Sequence, residues 1–248
     1  MGDPVRLRVL SYNVHTQRDD PRALARTVRD LAPDVVIVQE GPRRLRWRAR
    51  CAQLAHGFGL VVAAGGLPSL GNLILVSLRV RVRRAWCLAY PLTPGRHLRG
   101  AAFAECEVGG ASLLVVGSHL ATHAAERPGQ ARRLRDELRK STRPVVVGAD
   151  LNDEPGGPAY QALTESLVDA AAAVGDERPT YPCREPRRRI DMLLVEPGIG
   201  VRRYDVVDTP VSRAASDHFP ILADLDLPRD GRTAVTRPVD YGSRSDDR

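Results

Sequence analysis

Five apolar, strand-like runs of this 248-residue chain finish in side chains that can bind a cation or carry a proton. They end at Asn13 and His15, at Glu40, at His119, at Asp150 and Asn152, and in Ser216-Asp217-His218 just ahead of a final apolar run. Asp191 stands inside the apolar run Ile190–Val195, where a carboxylate is costly unless it is paired. Residues two apart in extended chain leave the same face, so Asn13 and His15, and likewise Asp150 and Asn152, project together. One such ending is an ordinary solvated loop start. Five of them brought to one edge would make a cleft lined by carboxylates, amides and imidazoles, and a set so rich in oxygen suits Mg²⁺ or Mn²⁺ better than zinc.

The elements that must position these groups are legible as periodic patterns. Strands are expected over 6–15, 34–38, 60–64, 72–77, 80–88, 101–108, 112–120, 145–148, 190–195, 201–207 and 219–227. Helices are expected over 21–31, with Asp20 as N-cap and Pro21 in the first turn, and over 43–56, 124–140 and 158–166. Pro128 should hold the third of these to a start after Arg127. Arg79, Arg81 and Arg83 alternate with Val80 and Val82, which predicts one basic and one buried strand face. Many strands with a few intervening helices, and no internal repeat, predict one α/β domain over residues 1–228. Two packed mixed sheets flanked by helices are the expected architecture. Residues 229–248 are polar and aperiodic and are expected to form a disordered tail.

Composition narrows the class. Hydrophobic residues at 43% and charged residues at 27% are globular values, and aromatics at 4% are too few for a base-stacking surface. The net charge of +7 points to a phosphate-bearing partner. Of the 37 basic residues only Lys140 is a lysine, so part of the arginine excess reflects a compositional bias. Cys51, Cys87, Cys106 and Cys183 are scattered without metal-ligand spacing, which argues for free thiols in a reducing compartment. No apolar run is long enough to span a membrane and no leader precedes the first strand, so a cytoplasmic protein is expected, as a monomer.

The series SYNVH (11–15), QE (39–40), GN-LILVS (71–77), SHL (118–120), GADLN (148–152), RID (189–191) and SDHFP (216–220) resembles the endonuclease/exonuclease/phosphatase superfamily, the fold of deoxyribonuclease I. The resemblance covers residues 6–227 and implies a four-layer α/β sandwich. It implies Glu40 as the main Mg²⁺ ligand, Asn13 near the same metal and Asp217 close by. It makes His218 the catalytic imidazole, hydrogen-bonded to Asp191, and has Asp150, with Asn152, orient or deprotonate the attacking water. His119 would donate to the scissile phosphate, and Asn72 and Arg99 would brace the phosphate or the loops around it. The family is divided on whether the Asp or the His is the base; Asp150 is taken here as base and His218 as stabiliser and acid. Arg187-Arg188-Arg189, just before Asp191, should form a basic cleft rim, with Arg189 on the substrate.

These residue types match the chemistry of a metal-dependent phosphoesterase: cation and donors offset charge on phosphoryl oxygens while a base activates water. Tyr181-Pro182-Cys183-Arg184 lacks the Trp and Asp-Arg of the inositol phosphatases, and His119 stands where apurinic endonucleases usually carry Tyr. Basic charge favours a nuclease. A phosphatase or a sphingomyelinase-like phospholipid phosphodiesterase is the alternative. Loss of Glu40, Asp150 or His218 would mark an inactive phosphate-binding protein, and all are present.

Overall fold

The computed structural model of the protein describes residues 3–229. The expected tail, 229–248, lies outside the described residues apart from Arg229. The chain forms β1 (Val5–Asn13), α1 (Pro21–Leu31), β2 (Val35–Gln39), α2 (Trp47–Phe58), β3 (Val61–Gly65) and β4 (Leu73–Val76). It continues through β5 (Arg81–Ala89), β6 (Gly100–Val108), β7 (Ala111–His119), α3 (Arg127–Leu138), β8 (Val145–Asp150) and α4 (Pro158–Thr164). It ends with β9 (Val168–Asp169), α5 (Ala170–Val174), β10 (Asp191–Val195), β11 (Gly200–Val206), α6 (Pro210–Ala215) and β12 (Ile221–Leu227).

The strands make two six-stranded mixed sheets, ordered β11-β12-β1-β2-β4-β3 and β5-β6-β7-β8-β10-β9. Each has one parallel pair at its centre, β1 with β2 and β7 with β8, joined across α1 and α3 respectively. The inner faces meet in a core that includes Leu7, Val9, Ile37, Ile74, Val115, Val146, Leu193 and Leu225. On the outer faces Leu24, Val28, Leu54 and Phe58 of α1 and α2 cover the first sheet. Leu134, Leu138 and Leu163 of α3 and α4 cover the second. These are the two packed mixed sheets flanked by helices that the pattern of elements predicts, and the four layers that the resemblance implies.

Local chemistry sets the helix ends. Asp20 caps α1, accepting from the amides of Arg22 at 2.8 Å and Ala23 at 3.2 Å. Helix α2 starts at Trp47 rather than Arg43, because Arg46 is left-handed at φ 60° and interrupts helical geometry. The arginine-rich residues 43–46 are therefore a bend and turn leading into α2, with Arg43 Nη1 donating to the Leu70 carbonyl at 3.1 Å. Strand β5 is a sheet edge with Arg81 and Arg83 exposed and Val82 half-buried, as the alternation predicts. Elements β9, α5 and α6 have no periodic signature in the sequence. They are short, and α6 depends on a capping box between Thr209 and Ser212.

The sheets come close where β7 and β8 cross β1 and β2. A Cβ on Gly117 would lie 2.8 Å from Ile37 Cγ2, and one on Gly148 would lie 2.8 Å from Ile37 Cδ1 and Ser11 Oγ. Only hydrogen fits at either position. Gly117→Ala is therefore expected to destabilise the fold by about 1–3 kcal/mol through overpacking. In an Ile37→Ala background the methyl it meets is gone and most of that cost should vanish. Urea unfolding of the double-mutant cycle reads the coupling, and equal costs in both backgrounds would refute the close approach.

Candidate active site

All the functional strand endings collect at one edge, and register explains why. In each parallel pair the carboxyl ends lie together, with Asn13 opposite Gln39 and His119 opposite Asp150. Strands running the other way begin at the same edge, so Asp191 pairs with Asp150 and Gly100 with His119. Clefts outside the carboxyl ends of parallel strands are the usual ligand positions of α/β sheets. Here the edge opens into a cleft of about 1080 Å³ lined by residues that include Glu40, His119, Asp150, Asn152, Asp217 and His218.

Asp150 is the centre of the array. Its Oδ2 accepts from Asn13 Nδ2 at 2.9 Å, across the sandwich from the other sheet, and lies 3.2 Å from His119 Nε2. Its Oδ1 accepts from the Asn152 amide at 2.9 Å. His218 Nε2 stands 3.9 Å from Oδ2 on the other side. The His218 Nδ1 is fixed by Asp191, with distances of 2.9 and 3.1 Å to its two oxygens, and Thr180 Oγ1 donates to Asp191 Oδ2 at 2.6 Å. Ser216 Oγ donates to the Asn13 carbonyl at 2.7 Å, tying the loop before β12 to the end of β1.

The two imidazoles are driven in opposite directions. Burial alone would strip the proton from His218, but the charge and hydrogen bond of Asp191, with Asp150 and Asp217 beyond, outweigh it and raise the pKa to about 10. His119 is buried as deeply; burial lowers its pKa to about 3, and Arg99 opposes the pull of Asp150. At neutral pH His218 is a cation and His119 is neutral. A cationic His218 has a proton to give from Nε2, and Asp150 stands between the two rings.

Several sequence expectations meet a different structure. Arg189 is not at the rim: it is 4% exposed, and its Nη2 is paired with Asp169 at 2.7 Å beneath the sheet. Its neighbour Arg188 lines the cleft instead. Asn72 is buried and bonds the carbonyls of Ser69 at 2.7 Å and Gly100 at 2.8 Å, so it braces the loop and does not line the cleft. His119 has its Nε2 against Asp150 rather than free for a phosphate. Arg99 lines the cleft but is 8% exposed, with Nη1 3.1 Å from His119 Nδ1. His97, Arg43, Arg44 and Arg50, which the sequence alone gives little reason to favour over an ordinary surface, all border the cleft. Thr180 and Tyr181, whose ring lies 4.5 Å from that of His218, have no signal in the sequence because they come from an irregular loop.

The site's donors fit a hard divalent cation. Ligand atoms of Asp150, Asp191 and His218 come within 4.8 Å of one another, but Asp191 and His218 are already committed to each other and His218 is cationic. More oxygen is available beside them. Glu40 borders the cleft at a left-handed φ of 55° and forms no hydrogen bond or ion pair among the described residues. Asp217 Oδ1 is buried without a hydrogen-bond partner, with His15 Nδ1 3.6 Å away, and Asn13 Oδ1 accepts only the His15 amide, at 3.0 Å. Carboxylate and amide oxygens left over in this way are the donors that Mg²⁺ or Mn²⁺ takes.

Residues 10–218 match the Endonuclease/Exonuclease/phosphatase family. No curated protein matches the chain. Among solved structures, an endonuclease/exonuclease/phosphatase from Bacteroides vulgatus superposes with a TM-score of 0.76 at 19% identity, covering 90% of this chain and 100% of that one. D. rerio TDP2 complexed with single strand DNA product gives 0.75 at 20% identity, covering 89% and 99%. An endonuclease/exonuclease/phosphatase from Beutenbergia cavernae gives 0.68 at 26% identity, covering 90% and 72%. The two under 25% identity share the fold.

Two outcomes are expected. Arg189→Met should leave Asp169 buried without its cation and cost about 3–5 kcal/mol in urea unfolding. A cleft-rim arginine would cost almost nothing. In an NMR titration His218 should keep its proton through neutral pH and lose it near pH 10, whereas Asp191→Asn should bring the midpoint far lower. Because the folded pKa exceeds the roughly 6.5 of an unfolded histidine, this pair stabilises fully below that pH. That contribution is lost as pH rises through about 10. An unchanged midpoint in the variant would mean that Asp191 does not hold the proton.

Proposed function

The chain belongs to the endonuclease/exonuclease/phosphatase family, and from that premise we propose that it is a nuclease, hydrolysing phosphodiester bonds of nucleic acid with Mg²⁺ or Mn²⁺ as cofactor. The observation that carries the choice of substrate is the wall of the cleft. Arg18, Arg43, Arg44 and Arg50 border it from the first sheet, and Arg127 and Arg188 from the second. Arg18, Arg44 and Arg50 have no carboxylate partner among the described residues, so their charge is available to a polyanion. A cleft of about 1080 Å³ with cations on both sides suits a chain of phosphates better than one small phosphate monoester.

The roles follow from protonation and reach. Asp150 Oδ2 already accepts from Asn13 and faces His119, so the attacking water's proton falls to Oδ1, which accepts only the Asn152 amide. His218, held as a cation by Asp191, presents Nε2–H to a phosphoryl oxygen and to the departing alkoxide as charge develops there. Water adds to phosphorus, the P–O bond to the leaving group breaks, and the products are a phosphomonoester and an alcohol. A divalent cation held by Glu40, with Asp217 and Asn13 in support, would supply neutralisation of the phosphoryl charge.

A Mg²⁺/EDTA turnover assay on supercoiled plasmid, abasic duplex, sphingomyelin and a phosphomonoester panel tests this reading. Metal-dependent plasmid nicking is expected, with Asp150→Asn and His218→Ala each losing at least about 100-fold. Glu40→Gln should raise the Mg²⁺ needed for half-maximal rate. Arg44→Glu with Arg50→Glu should weaken cleavage strongly at low salt and little at high salt, because screening removes the contribution of such contacts. Turnover of the lipid or the monoesters alone would overturn the nuclease assignment while leaving a phosphoesterase. Salt-independent behaviour of the arginine pair would remove the argument from the wall.

A further inference from the structure

Arg99 is an unusual occupant for its position. It precedes β6 at the catalytic edge, is 8% exposed, and has no carboxylate within salt-bridge distance among the described residues. Asp150 and Glu40 act on its charge from beyond salt-bridge distance, but burying a guanidinium without a direct acid partner is expensive, and its Nε is also buried without a partner. The contact it does make is to a ring nitrogen, Nη1 to His119 Nδ1 at 3.1 Å. On the far side of that ring, Nε2 lies 3.2 Å from Asp150 Oδ2.

The donor and acceptor inventory fixes the rest. A guanidinium can only donate, so Nδ1 must present its lone pair. A carboxylate can only accept, so the ring's single hydrogen sits on Nε2 and points at Asp150. Asn152 Nδ2 is also 3.1 Å from Nε2, but it has the Leu120 carbonyl as acceptor, likewise at 3.1 Å. The opposite tautomer would set N–H against N–H at Arg99 and a lone pair against the carboxylate at Asp150. Strand register holds this line in place: residue 100 pairs with 119, and 119 with 150.

We propose that Arg99 is a positioning residue that acts through His119, locking its Nε2–H tautomer so that the ring donates to Asp150 Oδ2 and leaves Oδ1 as the proton-accepting atom. Arg99 is thereby assigned away from the substrate phosphate, although it borders the same cleft. The consequence for catalysis rests on the role given above to Asp150. The tautomer does not.

The test has two independent parts. In ¹⁵N–¹H correlation spectra of the wild-type protein, with His119 identified by loss of its signals in His119→Gln, Nδ1 should have the signature of an unprotonated nitrogen and Nε2 that of a protonated one. Arg99→Met should release the ring to a mixture of tautomers, and Arg99→Gln, whose amide can still donate, should restore the wild-type pattern. A protonated Nδ1 in the wild-type protein would overturn the proposal without any assay or variant of Arg99. In turnover, Arg99→Met should lower kcat by about 10–100-fold, the range for outer groups that orient a ligand or base, with KM little changed. The same substitution should cost nothing further in a His119→Gln background. A KM rise that persists there would make Arg99 a phosphate contact and sink the positioning role. Absence of any nuclease activity in the wild-type protein would count against the proposed function and leave the spectroscopic result standing.

Discussion

The hydrogen bond from Asn13 to Asp150 crosses from one sheet to the other, and the architecture of the catalytic edge depends on its being possible. Asp150 is 1% exposed, so a carboxylate charge is held in the interior by donors arriving from both halves of the sandwich. That requires the sheets to approach more closely than ordinary side chains permit. Gly117 and Gly148 provide the space, and Gln39 fills part of the seam, donating to Ser11 Oγ at 3.1 Å and the Gly148 carbonyl at 3.3 Å. A buried polar seam of this kind tolerates little displacement, because each lost partner leaves a desolvated group unpaired.

Around that carboxylate the protein keeps two histidines in opposite states within one cleft. The difference lies in what stands behind each ring. Behind His218 is Asp191, itself bonded by Thr180, so a positive ring is matched by a negative charge. Behind His119 is Arg99, so a positive ring would meet a like charge. Glu40 and Asp217 stand beside this hydrogen-bonded core with carboxylate oxygens that take no hydrogen bond from it, and under the proposed function they would keep cation binding apart from proton handling.

The arginine content of the chain divides in the same way. Away from the cleft many arginines are tied to acids, as Arg8 is to Asp224 at 2.7 Å, Arg79 to Asp34 at 2.7 Å and Arg178 to Asp176 at 2.6 Å. Along the cleft, Arg18, Arg44 and Arg50 are left without such partners among the described residues. Arg22, Arg29, Arg48 and Arg132 also have no carboxylate partner among the described residues, so the cleft is distinguished by the clustering of its unpaired arginines. On the exposed edge strand β5, Arg81 and Arg83 do a different job, since charge on an edge discourages pairing with other chains.

What the sequence by itself determines is the set of strands, their polar endings and the kind of chemistry those endings can do. Alternation and short apolar runs are local properties, and Asn13, Glu40, Asp150, Asp191 and His218 each sit at the end or start of such a run. Other assignments turn on facts that no window of sequence contains. Arg188 and Arg189 are adjacent and alike in type, yet extended backbone sends them to opposite faces, and only sheet packing decides which face is the cleft. Asn72 and His119 look like substrate contacts until their neighbours, 28 and 31 residues away, take up their hydrogen bonds. Thr180 and Tyr181 reach the centre from a loop with no periodicity. Protonation is the clearest case: identical imidazoles become a cation and a neutral donor because desolvation and nearby charge are properties of the assembled interior, set by residues that meet only when the two sheets close.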